Sequence, residues 1–196
     1  MERYFKNKKL LERNNVYSKE MEHDACGVGL VASTEGKKSR EVVEYGIQAL
    51  KAVWHRGAVD ADGKTGDGAG IHVEIPKEFF KEKIEVTGHV YDNSEICIGM
   101  IFLPRNNYEA QESCRTLVEK ELTQNDFNIY GWRQVPVNTK VLGEKAEQTR
   151  PEITQVLFRH NNQKLSGKSL EIKLYETRRK IENNVRQNHL DNFYIC

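Results

Sequence analysis

No two of the four cysteines form a C-x-x-C pair; Cys26, Cys97, Cys114 and Cys196 are widely spaced. That spacing carries no zinc or iron–sulfur signature. No apolar run approaches the roughly 18 residues of a membrane span. The opening segment, MERYFKNKKLLERNNVYSKEMEHD, has no apolar stretch of the kind a secretory signal needs. Acids mixed among its bases also argue against a transit peptide. An excess of one charge is missing too: 30 basic against 29 acidic residues leave a formal charge of +1. That balance excludes nothing structurally, but it offers no basic surface for nucleic acid or an anionic membrane. Internal repeats and low-complexity tracts are absent. With no secretion signal, free thiols and a reducing compartment are expected: the cytoplasm, or an organelle if the source is eukaryotic.

What is present suffices for one domain, or one and part of another: 196 residues, 38% apolar and 30% charged. Residues 1–25 show no sustained periodicity and read as a tail. GVGLVAS (27–33) reads as a short buried strand. Ser39 is placed to cap a helix in which Val43, Ile47, Leu50 and Trp54 recur at helical spacing, with Gly57 ending it. AGIHVEIP (69–76) alternates like a strand, and Pro76 opens a short helix, PKEFFKEK, before a loop over 83–93. EICIGMIFLP (95–104) reads as a strong strand. Residues 106–124 form an amphipathic helix with Cys114, Leu117, Val118 and Leu122 on one face. IYGWRQVPV (129–137) and EITQVLFRH (152–160) are strands separated by a polar linker with a short helix around 142–147. A long charged helix over 170–188 precedes FYIC, the start of another strand. Cys97 and Cys114 read as small core residues. The irregular alternation favours an α+β fold over a doubly wound parallel sheet.

HRGAVDADGKTGDGAG (55–70) comes close to three known motifs and fits none. A phosphate-binding loop needs glycine where Ala58 stands, one place after Gly57. A calcium loop would have Ala58 and Ala69 in place of its first and last carboxylates, although Asp60, Asp62 and Gly63 suit its middle. A dinucleotide fingerprint would have Ile71 as its third glycine. Five glycines between 57 and 70 are costly for a plain turn, since each gives up backbone entropy. They point to a tight loop that sets main-chain N–H groups and Arg56 beside a buried site.

Cys26 poses a chemical question. A cysteine nucleophile needs a base or a depressed pKa. His23 is a near neighbour along the chain but is poorly placed to align with the thiol. His55, His72, His89, His160 and His189 are scattered, each most simply a surface or structurally satisfied residue. Cleavage between Ala25 and Cys26 would supply another base, the new α-amine, with a reference pKa of roughly 7.7–8.0. The residues alone leave two readings open: a buried strand cysteine, or an N-terminal nucleophile.

HDACGVGLVA followed by WHRGAVDADGKTGDGAGIHVEIP resembles the glutamine amidotransferase domain of glutamate synthase large subunits, a class II family with an N-terminal cysteine. GWRQVPVNTKVLGEKAEQTRPEITQVLF and NFYIC are similar to the same family. The resemblance implies a propeptide over 1–25 and an amidotransferase domain over 26–196, the N-terminal part of a longer one. It implies an N-terminal-nucleophile hydrolase sandwich, incomplete at its C-terminus, with two antiparallel sheets covered by helices. Cys26 is then the catalytic nucleophile, Arg56 a substrate-binding residue and glutamine the substrate. FMN and an iron–sulfur cluster belong to the remaining synthase domains, its expected partners, and no cofactor or metal to this chain. The family's HSRFST-like and HNGE-like segments are not among these 196 residues. A catalytically inactive fragment, acting at most as an assembly module with an exposed sheet edge at 192–196, is therefore the alternative expectation.

Overall fold

The computed structural model describes residues 3, 6, 7, 9, 10, 27–54 and 57–196. It divides into two compact units: Met1–Ala58 with Gly68–Ile71, and Val59–Asp67 with His72–Cys196.

The first unit contains helix α1, Arg40–Ala52. Ser39 lies extended before it, and its Oγ accepts the Val42 N–H at 3.3 Å. That side chain satisfies one of the donors every helix start leaves unpaired. Val43, Ile47 and Leu50 line one face as the spacing predicts, but they are half-covered and no residue of α1 is buried. The helix closes at Val53 rather than Gly57, and Trp54 is 76% exposed. The expected strand over 27–33 is a correction. Gly27–Ser33 joins no ladder, and Val28 and Leu30 are 93% and 91% exposed. Strand AGIHVEIP is a second correction, because 69–76 also runs outside any sheet. Apolar alternation favours a strand only where a neighbour takes its backbone groups and covers one face.

In the second unit, α2 (Lys77–Val86) follows Pro76 and extends past the predicted end of that helix. Strand β1 (Cys97–Leu103), helix α3 (Tyr108–Gln124) and strand β2 (Phe127–Gln134) come next. A 3-10 turn, Thr139–Val141, leads to the short α4 (Glu144–Thr149). Strand β3 (Glu152–His160), helix α5 (Gly167–Gln187) and strand β4 (Tyr194–Ile195) complete the order. The four strands form one sheet in the order β2-β3-β1-β4, every pair antiparallel. This is the mixed helix-and-strand architecture expected from the irregular alternation.

Period-two burial decides what packs where. Cys97, Gly99, Ile101 and Leu103 of β1 point to one face and are buried. With Val156 and Phe158 of β3 they form the main core under α3, through Cys114, Val118 and Leu122, and under α5, through Leu170, Ile181 and Val185. On the opposite face Leu157 and Tyr130 meet Phe80 and Ile84 of α2 and Ile96. Elsewhere on that face Ile98, Met100 and Phe102 are half-covered.

Local chemistry explains the joints. Asn107 caps α3 with its Oδ1 on the Ala110 N–H at 3.0 Å. At the far end the Asn125 side-chain amide donates to the Glu121 carbonyl at 2.8 Å. A bulge in β2 falls between Ile129 and Gly131. Gly131 has φ +148, and a Cβ there would lie 2.9 Å from Thr87 Cγ2, so glycine lets the tail of α2 close against the sheet.

Candidate active site

Cys26 and Arg56, the residues singled out for catalysis and substrate binding, lie outside the described residues, as do His23 and His55. The described part of the candidate site is the glycine loop downstream of Arg56.

Val59 pairs with Gly66 in an isolated antiparallel bridge. Inside it the Asp60 N–H donates to the Thr65 carbonyl at 2.8 Å, and the Gly63 N–H donates to the Asp60 carbonyl at 2.9 Å. Gly63 takes φ +67, a left-handed value that glycine adopts without a Cβ penalty. Asp62 organises the tip. Its carboxylate accepts the Lys64 N–H at 2.9 Å, the Thr65 N–H at 2.7 Å and the Thr65 hydroxyl at 2.5 Å. The Thr65 hydroxyl, then those two amides, hold the Asp62 carboxyl far below the usual carboxylate range. The N–H groups of Asp60, Ala61, Gly63, Lys64 and Thr65 are thus all engaged within the loop. These five amides close the loop on itself rather than facing outward as the sequence had suggested.

The loop meets the start of α4. Lys145 Nζ donates to both Asp60 carboxylate oxygens, at 2.8 and 2.7 Å. The Ala146 N–H donates to Thr65 Oγ1 at 3.4 Å. Gly143, buried before α4, lies so close to the loop that an added Cβ would overlap the Asp62 and Thr65 side chains. α4 itself is braced: Glu147 accepts from Arg105 Nη1 at 2.5 Å and from Arg150 Nε at 2.9 Å. Arg150, then Arg105, keeps the Glu147 carboxyl below its ordinary range. Sequence reading had not found Gly143 or Lys145. The available signal was weak: a glycine just ahead of a short helix, where glycine is an ordinary N-cap.

The three described cysteines are poor nucleophiles. Burial, then Glu95 and Glu171, pushes the Cys97 thiol up to about 12. Burial also raises Cys114 and Cys196. As expected, Cys97 and Cys114 are core residues. Among the described residues no group of His, Cys, Asp and Glu side chains could hold a metal ion, so these cysteines do not fit an iron–sulfur cluster. No helix among the described residues is long and apolar enough to cross a membrane. A cavity of about 480 Å³ lies between α5 and the β1 end of the sheet, bordered by His72, Cys97, Glu171, Arg178, Ile195 and Cys196 among others.

The family model for class-II glutamine amidotransferases matches residues 26–196, beginning at the cysteine itself. The chain belongs to the class-II glutamine amidotransferases. It is 54% identical over 182 residues to the large chain of the NADPH glutamate synthase of Azospirillum brasilense, covering 93% of this chain and 12% of that protein. It is 35% identical over 192 residues to the ferredoxin-dependent glutamate synthase of Pyropia yezoensis, covering 96% of this chain and 12% of the relative. The large chain of the NADPH glutamate synthase of Bacillus subtilis is 34% identical over 172 residues, 86% of this chain and 11% of that one. The chain therefore spans about an eighth of the length of these curated relatives. Within this amidotransferase the glycine loop, α4 and the four-stranded sheet lie wholly inside the matched region.

Proposed function

We propose that this chain is the glutaminase part of a glutamate synthase large chain, releasing ammonia from glutamine at Cys26. The observation that carries the reading is the family match that starts at Cys26, joined to 54% identity with an NADPH glutamate synthase large chain. Residues 1–25 act as a propeptide, and 26–196 form part of the amidotransferase domain. Removal of the propeptide frees the Cys26 α-amine. That amine takes the thiol proton, directly or through one water. The thiolate attacks the side-chain amide carbon of glutamine; a C–S bond forms and the carbonyl electron pair moves to oxygen. Collapse of the adduct breaks the C–N bond, and the α-ammonium returns its proton to the departing ammonia. Water then adds to the γ-glutamyl thioester, the C–S bond breaks, and glutamate leaves with the thiol restored. Arg56 contributes a planar fork of donors suited to the substrate carboxylate.

The fold proposed is the N-terminal-nucleophile sandwich. Its support is the asymmetry of the sheet, with one face under α3 and α5 and the other carrying half-covered Ile98, Met100 and Phe102. FMN and iron–sulfur chemistry is assigned to the remaining synthase domains, the partners that would use the ammonia. A reducing compartment, cytoplasmic or organellar, suits a free catalytic thiol.

The test is glutamate release from glutamine, together with the intact mass of the mature chain. A chain beginning at Cys26 should hydrolyse glutamine, and Cys26→Ala and Cys26→Ser should each lower turnover by about 10³-fold or more. Hydrolysis surviving either substitution would sink the reading. An inactive fragment would leave glutamine intact and keep residues 1–25.

A further inference from the structure

We infer that Gly143 and Lys145 are positioning residues for the glutaminase site, seating the glycine loop so that the segment bearing Arg56 is held in register. The inference rests on the proposed role of Arg56 in binding glutamine. Three contacts converge on residues 60–65. The first is steric. Gly143 approaches Thr65 closely enough that a Cβ would lie 2.5 Å from the Thr65 nitrogen and overlap the Asp62 carboxylate and the Thr65 hydroxyl. That nitrogen belongs to the backbone and has no rotamer with which to yield. The second is a hydrogen bond, from the Ala146 N–H to Thr65 Oγ1 at 3.4 Å. The third is the ion pair of Lys145 with Asp60, 2.7 Å at its shorter distance.

The seat is firm at one end and releasable at the other. Gly143 is buried and α4 is pinned through Glu147 to Arg105 and Arg150. The Lys145 side chain is 61% exposed, and exposed pairs are weak and screened by salt. From Val59 back to Arg56 there are three peptide links, at most about 11 Å of extended chain. A guanidinium on so short a tether responds to where Asp60 is held. Misplacing a substrate-positioning group by about 1 Å can cost as much as 10²-fold.

The experiment uses the full chain with Cys26 freed, and two readouts. NMR hydrogen exchange at the Lys64 and Thr65 amides reports the seat. Labelling of Cys26 by a diazoketone analogue of glutamine, set against alkylation by iodoacetamide, reports substrate recognition apart from thiol reactivity. Gly143→Ala should speed exchange at both amides and slow analogue labelling by about tenfold, with iodoacetamide alkylation within about twofold. Lys145→Gln, on the surface and harmless to the core, should give a smaller effect that high salt reproduces in the parent chain. Lys145→Arg should restore it. Unchanged exchange in Gly143→Ala would overturn the seat. Faster exchange with undiminished analogue labelling would overturn the positioning role. If the parent's Cys26 resists the analogue while exchange still responds to Gly143→Ala, the glutaminase reading fails and takes the positioning role with it, and the seat alone stands.

Discussion

At the residue scale, the cysteines show how burial decides reactivity. Cys97 lies in β1 with 3% of its surface exposed, and its thiol is pushed up to about 12. Desolvation penalises the thiolate there, and Glu95 and Glu171 add to the penalty. Cys97 and Cys114 should therefore resist iodoacetamide at pH 8 in the native chain, and both should react after denaturation. Mass spectrometry of tryptic peptides checks this; labelling of Cys97 in the native chain would contradict its burial. The sign of the pH effect follows. A folded-state pKa above the unfolded value means that Cys97 favours the folded state fully below the unfolded thiol value, near 9. That contribution fades as pH rises towards about 12, because the unfolded thiol ionises first. Urea midpoints should accordingly fall with pH above about 9, and by less in Cys97→Ala measured against its own neutral value. Asp62 works in the other sense. Its depressed carboxyl supports the loop above the ordinary carboxylate range, and that support is lost as acid protonates it.

At the element scale, α3 is a helix whose start and stop are both chemically marked. Asn107 caps its first turn and Asn125 closes its last. Its buried side carries Cys114, Val118 and Leu122 into the main core. Asn107→Ala should cost about 1 kcal/mol. For a domain of this size that corresponds to a melting point lower by roughly 2–4 °C. Calorimetry checks it, and an unchanged Tm would show that the Asn107 side chain contributes nothing to the cap. Elements with marks of this kind were legible beforehand. Ser39, the alternation in β1 and the stretch Glu152–His160 were all read correctly from local pattern. Gly27–Ser33 and residues 69–76 carried strand-like patterns too, yet both run outside the sheet. Alternation is a property of a segment, whereas a strand is a property of a pair.

At the scale of the whole molecule, burial is unevenly distributed. Two hydrophobic cores flank the sheet of the second unit, while α1 in the first unit buries no residue. Local opening costs least where apolar contacts are few. Hydrogen-exchange mass spectrometry should therefore find slow exchange across β1, β3, α3 and α5. Exchange in α1 should be faster by at least about an order of magnitude, despite its good cap. Equal protection of α1 and α5 would mean that the first unit has a core of its own.

By itself the sequence determined the family, the α+β class, most helices and strands of the second unit, and Cys26 as the residue to ask about. These depend on local information: apolar period, capping residues, and a motif whose chemistry is written in adjacent positions. Tertiary structure decided which apolar runs found partners, which cysteines were silenced by burial, and how the glycine loop is seated. The loop's ties to α4 join residues 81 and 85 positions apart. Gly143 has no side chain with which to announce its role; only the closeness of Asp62 and Thr65 gives it one. Contacts between distant positions arise from the packing of whole elements, so they become visible only once those elements are in place.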